Sequence, residues 1–98
     1  NYSSYRYRSS GMPDPNTISN SSPTKLIVIT GHLDDDAITM TAPSGYTMAA
    51  SKSYNPYSGW GSTTGIAYKL TNTSQSENPG AFGGGGNDAN FSYGFRFG

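Results

Sequence analysis

The most concentrated polar chemistry in the sequence is a run of three carboxylates, Asp34, Asp35 and Asp36, which follows an apolar stretch. Because calcium prefers oxygen ligands, this run is a weak candidate calcium site. Its spacing is not that of an EF-hand loop, and adjacent aspartates converge on one ion only where the backbone turns. A solvated turn between two strands is the more strongly favoured interpretation. A third interpretation is that the run pairs with basic residues of a neighbouring copy, namely Arg6, Arg8 or Lys25.

The residue pattern gives little support to catalysis. His32 is the single histidine and cysteine is absent, so a histidine-pair or thiolate metal site is not available. The G-x-S-x-G pattern that presents a catalytic serine is missing. The glycine run at residues 83–86 lacks the G-K-[ST] ending of a phosphate-binding loop, and favours a flexible or close-packed loop instead. We therefore predict a protein that is not an enzyme and that uses no cofactor.

Three aromatic residues, Tyr54, Tyr57 and Trp60, form a second candidate site. Flat rings of this kind stack on sugars and also anchor protein interfaces. Since the chain is poor in aliphatic residues, burial of the same rings in the core explains them equally well. The three residues are therefore a candidate glycan-binding platform, with burial as the alternative.

Charge and length limit the classes of partner. The 98 residues carry six basic and six acidic side chains, and the formal net charge is zero. A basic surface that neutralises phosphates is thus not indicated. No apolar run approaches the roughly 20 residues that cross a membrane. We expect one small domain whose partners are neither nucleic acids nor membranes.

Strands must position these residues, because helix signals are nearly absent. The chain contains 13 glycines and six prolines, and no stretch repeats apolar residues at helical spacing over three turns. Alternating or β-branched runs between turn residues predict about six or seven short strands. The clearest runs are residues 2–8, 25–30, 38–42, 46–51, 62–71 and 90–97. Residues 54–61 are predicted to form an aromatic loop, and residues 43–45 a turn.

Strands of this number and spacing predict an all-β fold, a small antiparallel β-sandwich or jelly roll. The apolar run at residues 26–29 predicts a strand covered on both faces. Residues 1–24 are interpreted as an extended N-terminal arm with a proline-rich connector, and residues 25–98 as the sandwich domain. A strand on such a tether can add to the sheet edge of a neighbouring copy.

The chain has few aliphatic residues for its length, with only nine isoleucines, leucines and valines against 13 aromatic residues. Small folds in this position gain stability from disulfides, metals or oligomerisation. Because cysteine is absent, we predict oligomerisation. Six aromatic residues are expected at sheet or subunit contacts: Tyr2, Tyr5, Tyr7, Phe91, Phe95 and Phe97.

Two segments resemble a module of tailed-bacteriophage structural proteins. They are ITMTAPSGYT at residues 38–47 and TGIAYK at residues 64–69. In that module a strand ends in a T-x-P-S-G-[WY] turn and a later strand carries an A-Y-K-like segment. The resemblance covers about residues 25–82 and carries over no catalytic residue. It implies a β-sandwich of the virion surface, in a head-decoration protein or a tail fibre.

These observations lead to one functional hypothesis and two alternatives. The hypothesis is a non-enzymatic virion structural protein, located in the extracellular particle, whose partners are copies of itself and other virion structural proteins. One alternative is a carbohydrate-binding β-sandwich that uses the Tyr54, Tyr57 and Trp60 platform. The other is a subunit of an extracellular filament.

Overall fold

The computed structural model describes residues 2–19, 23–57 and 60–98, and these residues form five strands and no helix. The strands are β1 (Tyr2–Arg8), β2 (Thr24–Asp34), β3 (Thr47–Tyr57), β4 (Trp60–Thr73) and β5 (Asn90–Phe97). They build one antiparallel sheet in the order β1-β5-β2-β4-β3. The all-β class is therefore confirmed. The sheet is open rather than closed, and a two-sheet sandwich or jelly roll is not confirmed for the single chain.

Two of the predicted elements differ from the structure. Residues 38–42 were expected to form a strand, but they contribute only an isolated bridge between Thr41 and Gly83. Their alternating side chains pack onto the face of the sheet instead of pairing at its edge. Residues 54–61 were expected to form a loop, but residues 54–57 belong to β3 and residues 60–61 to β4, while residues 58–59 lie outside the described residues. Aromatic residues favour strands, and Tyr57 pairs with Trp60 across the β3–β4 hairpin.

The N-terminal strand belongs to the sheet of its own chain. β1 pairs antiparallel with β5, in a register that runs from Tyr2 opposite Arg96 to Arg8 opposite Asn90. The turn expected at residues 43–45 is also present, because the Tyr46 amide donates to the Pro43 carbonyl at 3.0 Å. Exchange of β1 between copies, and the division into an arm and a domain, stay predictions.

One face of the sheet, the covered face, carries the core. Ile27, Ile29 and Leu33 of β2 and Ala67 of β4 are fully buried there. The cover is not a second sheet but the connectors that follow β1, β2 and β4. These connectors supply the remaining members of the core cluster, Ile18, Met40 and Phe82. The core is therefore a layer of strands beneath a layer of irregular backbone.

Two glycines allow the connectors to lie directly on the sheet. A Cβ atom on Gly31 would stand 2.8 Å from the Pro13 Cβ and 3.0 Å from the Phe82 ring. A Cβ atom on Gly65 would stand 2.7 Å from the Met40 sulfur. Because real Cβ atoms do not approach other atoms so closely, the missing side chains provide the space that the connectors fill.

Hydrogen bonds tie the connectors to each other and to the sheet. Ile18 and Glu77 exchange backbone hydrogen bonds of 2.7 and 3.0 Å. The Glu77 carboxylate accepts from the Tyr46 hydroxyl and from the Lys69 ammonium, each at 3.0 Å. Burial raises the pKa of Tyr46 well above its usual value, and the Glu77 charge raises it further. One carboxylate thus joins two connectors to β4.

Candidate functional site

The second face of the sheet, the open face, remains exposed in the part of the chain that the structure describes. Its side chains alternate with those of the covered face, as the pleat of a strand requires. Several large apolar residues on it are between 36% and 75% exposed. The aromatic and aliphatic side chains of the open face are Tyr5, Tyr7, Leu26, Val28, Ile66, Tyr68, Leu70, Phe91, Tyr93, Phe95 and Phe97.

The strand register arranges these side chains in rows that cross the sheet. Each row joins residues of β5, β2 and β4, and the rows are Phe97–Leu26–Leu70, Phe95–Val28–Tyr68 and Tyr93–Thr30–Ile66. β1 extends the third row with an aromatic ring, since Tyr5 lies opposite Tyr93, and Tyr7 lies opposite Phe91 in the next row, Phe91–His32–Thr64. Because directly opposed side chains interact across strands, the rows form one continuous apolar surface.

Ring contacts connect the aromatic part of the open face. The ring centroids of Tyr5 and Tyr93 are 5.0 Å apart, and those of Tyr93 and Phe95 are 5.9 Å apart with an interplanar angle of 13°. His32 stacks on Phe91 at 4.9 Å, and its Nδ1 lies 2.9 Å from a hydroxyl of Thr64. The single histidine is thus part of this aromatic surface.

The residues expected at contacts lie together on the open face. Five of them, Tyr5, Tyr7, Phe91, Phe95 and Phe97, share this surface, whereas the side chain of Tyr2 lies outside the described residues. Sequence reasoning missed the aliphatic members. The expectation that residues 26–29 are covered on both faces is wrong, because Ile27 and Ile29 are buried while Leu26 and Val28 face the open side. The alternation within this run was the signal that could have separated the two faces.

An open cleft of about 490 Å³ lies at the end of the open face, beside the projecting β3–β4 hairpin. The register places its walls, because Asp34 lies opposite Ser62 on β4 and Ser62 lies opposite Tyr54 on β3. The lining residues are Asp34, Asp35, Tyr54, Pro56, Trp60, Gly61 and Ser62. The structure therefore brings two candidate sites together, the aromatic platform and the first two aspartates.

The aromatic platform is exposed, so burial of its rings in the core is wrong. Tyr54 is 65% and Trp60 is 68% exposed, and both line the cleft. Tyr57 is 73% exposed but is not among the lining residues. When the amide nitrogen of Asn55 faces the two carbonyls, it donates to Tyr57 O at 2.8 Å and to Trp60 O at 2.9 Å. This amide fixes the end of the hairpin from which Trp60 projects.

The loop that carries Asp35 is held against β4. The buried Thr63 hydroxyl donates to the Asp36 carbonyl and accepts from the Ile38 amide, each at 2.9 Å. A Cβ atom on Gly61 would stand 2.9 Å from the Cβ of Ala37, so only glycine lets the loop pass so close. Asp35 adopts a left-handed φ of 55°, a conformation that aspartate tolerates in turns. The solvated-turn interpretation of the aspartate run fits this geometry.

The three aspartates do not converge on one point. Among the described residues no group of three or more histidine, aspartate or glutamate side chains is placed to hold a metal ion. Asp36 turns towards the glycine-rich loop, where its carboxylate accepts from the Asn87 amide at 3.0 Å. The structure therefore gives no support to the candidate calcium site at Asp34, Asp35 and Asp36.

Electrostatic repulsion concentrates at the cleft. Asp34 is the largest cause that raises the pKa of Asp35, with desolvation, Asp88 and Asp36 as further causes. Arg6 and Arg8 are engaged elsewhere, since both lie within 4.0 Å of the Asp14 carboxylate of the same chain. Lys25, the third residue considered as a partner of the aspartates in a neighbouring copy, forms no salt bridge within the described residues.

The glycine run at residues 83–86 is a close-packed loop. Gly83 exchanges backbone hydrogen bonds with Thr41, at 2.9 and 3.0 Å. A Cβ atom on Gly84 would stand 2.6 Å from the carbonyl oxygen of Thr39. The close-packed interpretation is therefore confirmed, and the run helps to hold the cover on the core.

Comparison of the chain with protein-family models, with curated proteins and with solved structures finds no match. The resemblance of residues 38–47 and 64–69 to a phage structural module stays a prediction. No helix within the described residues is long and apolar enough to cross a membrane.

Proposed function

We propose that the chain is a non-enzymatic structural subunit whose open face packs against the open face of a second copy. The observation that carries this proposal is the continuous apolar surface on one side of the sheet. Monomeric soluble proteins rarely expose contiguous apolar patches larger than a few hundred Å². Aligned packing of two such faces, about 10 Å apart, is the arrangement of a β-sandwich.

The area of the open face suits a dimer. Its five exposed aromatic rings, Tyr5, Tyr7, Phe91, Tyr93 and Phe97, are between 36% and 59% exposed. At about 200 Å² for a whole aromatic side chain, they offer roughly 450 Å². Leu70, Ile66 and the half-buried members add further area, which brings the total towards the roughly 800 Å² per partner of a standard interface.

The chemistry of the open face favours a second copy as the occupant. The charged residues that the strand register places on the open face are Lys52, in the same row as His32, and Asp34, one row further along. Both therefore lie at one end of the apolar rows. The apolar rows therefore match each other without burying an unpaired charge. Twofold pairing of identical surfaces is the commonest form of homo-oligomer. In this proposal the β-sandwich predicted from the alternating strands is formed by the dimer, in which each copy supplies one sheet.

We further propose a virion as the setting of this subunit, with copies of itself and other virion structural proteins as partners. The support is the resemblance of residues 38–47 and 64–69 to phage structural modules. Mass spectrometry of particles purified from the source culture should detect the chain in many copies per particle. Absence of the chain from such particles would overturn the setting and leave the dimer standing.

Sedimentation equilibrium tests the dimer. The full chain should sediment as a dimer, and Tyr93→Glu should sediment as a folded monomer because it places a charge in the centre of the interface. Tyr57→Glu is the matched control, since Tyr57 lies at the end of the β3–β4 hairpin, beyond the apolar rows, and is 73% exposed. Far-ultraviolet circular dichroism verifies that both variants fold. A monomeric wild-type chain at high micromolar concentration would refute the dimer.

A further inference from the structure

The cleft beside the β3–β4 hairpin combines flat rings, hydrogen-bonding groups and space. Trp60 and Tyr54 present their rings to solvent from a hairpin that projects from the sheet, where most of β3 is exposed on both faces. Asp34, Asp35 and Ser62 face the same cleft. We propose that this cleft binds a neutral saccharide, which stacks on Trp60 and Tyr54 and donates hydroxyl hydrogen bonds to Asp34 and Asp35.

The rings supply the apolar part of the recognition. A pyranose carries C–H groups on its faces and hydroxyls at its rim, so it needs a flat apolar surface next to polar groups. Tryptophan and tyrosine offer such a surface and a polar end. Trp60 is 68% exposed and lies outside the apolar core cluster. Its exposure therefore has no explanation in the packing of the single chain.

The carboxylates supply the polar part. Hydrogen bonds to an ionised carboxylate are roughly twice as strong as neutral ones. In the described residues, neither the Asp34 nor the Asp35 side chain forms an ion pair or accepts a hydrogen bond from another residue. Two free acceptors side by side suit the adjacent hydroxyls of a sugar. The Ser62 hydroxyl adds a donor and an acceptor on the facing strand.

The size and rigidity of the cleft fit the same ligand class. Its volume of about 490 Å³ lies within the range of small-molecule sites. Asn55 holds the hairpin end, and Gly61 keeps the aspartate loop close to β4. The walls are therefore largely preformed, which lowers the entropy cost of binding.

An organic cation is the competing ligand, because aromatic rings beside carboxylates also attract ammonium groups. Such groups are normally enclosed by several rings, as in aromatic cages. Here two rings border a broad, open cleft with a hydroxyl in its wall. The observations therefore favour a saccharide, and choline serves as the probe for the alternative.

The saccharide proposal does not depend on the proposed dimer. The cleft belongs to β2, β3 and β4 at the end of the sheet, beyond the three apolar rows. A dimer would carry two clefts, and simultaneous engagement of both by a surface glycan would increase the apparent affinity. Loss of the dimer would leave each cleft intact.

A glycan array followed by titration tests the proposal on the full chain. Trp60 is the single tryptophan, so its fluorescence and its indole N–H resonance report on the cleft directly. An oligosaccharide selected on the array should change both signals saturably. Trp60→Ala, titrated by calorimetry, and Asp34→Asn should each weaken binding by about tenfold or more, which corresponds to about 1.4 kcal/mol. Tyr57→Ala, a nearby ring that does not line the cleft, should bind like wild type.

Three results would overturn the proposal. They are a silent array, a titration that Trp60→Ala leaves unchanged, and a Trp60 signal that responds to choline but to no oligosaccharide. Trp60→Phe guards against loss of folding, since it keeps a flat ring in place and should retain part of the binding. Sedimentation separates the two proposals, because Trp60→Ala should still dimerise and Tyr93→Glu should still bind the sugar.

Discussion

Replacement of Phe82 by alanine measures how much the connector layer contributes to the core. Phe82 lies on the connector between β4 and β5 and is 2% exposed. Its ring occupies the space above Gly31, and its amide donates to the Pro13 carbonyl at 2.9 Å. Because alanine keeps the backbone hydrogen bond, the substitution removes only the ring and leaves a cavity between the connector and β2.

The expected cost follows from the burial. Truncation of a buried phenylalanine to alanine costs about 3–5 kcal/mol, while small domains have a total stability of about 5–15 kcal/mol. A loss of 3 kcal/mol would lower the melting temperature of a domain of this size by roughly 12–24 °C. Phe82→Ala should therefore remove a large part of the free energy of unfolding.

Urea denaturation followed by far-ultraviolet circular dichroism provides the measurement. Wild type and variants are compared at one protein concentration, because assembly adds a concentration-dependent contribution to stability. Tyr57→Ala removes a ring of similar size that is 73% exposed, and it should change the stability by about 0.5 kcal/mol or less. If Phe82→Ala costs no more than this control, the connectors do not form the second layer of the core.

Three further perturbations test other parts of the structure. Gly31→Ala should cost about 1–3 kcal/mol in thermal denaturation, because its Cβ would collide with Pro13; a neutral effect would contradict the close contact. The pKa of Tyr46 is raised in the folded state above its usual value of 10.0. The free energy of unfolding should therefore fall as the pH rises above 10.0, and Tyr46→Phe should remove this part of the pH dependence in urea titrations. Asp34→Asn should lower the pKa of Asp35 towards 3.8, measured by NMR titration of its carboxyl carbon; an unchanged pKa would contradict the repulsion.

The strands with strict alternation could be predicted from the sequence. Residues 90–97 alternate large aromatic with small or polar side chains, and β5 occupies that range with its aromatic side on the open face. Residues 38–42 alternate in the same way, yet they lie across the core. A period of two fixes where side chains point but not whether the backbone pairs with a neighbour. The space that admits this segment comes from Gly65, which is distant in sequence.

The sequence indicated the residues of the cleft but not that they lie together. Tyr54, Trp60 and the aspartates stood out as separate features, because single positions reveal residue type but not proximity. Their proximity depends on the β2–β4 and β3–β4 registers, which place Asp34 and Tyr54 on either side of Ser62. Pro56 and the glycines near the hairpin end suggested a loop, but an edge strand such as β3 tolerates proline.

The apolar open face and the acidic cleft at its end together limit how two copies can pair. Asp34, Asp35, Asp36 and Asp88 lie near one another at the cleft end of the sheet, where the Asp34 amide donates to the Ala89 carbonyl and the Asp36 carboxylate accepts from the Asn87 backbone amide. In a face-to-face dimer, parallel alignment of the two copies would bring these ends together and repel. Alignment with the strands reversed keeps the apolar rows in contact and separates the acidic ends by the length of the sheet. The reversed dimer therefore places one cleft at each end of the assembly, away from the acidic residues of the other copy.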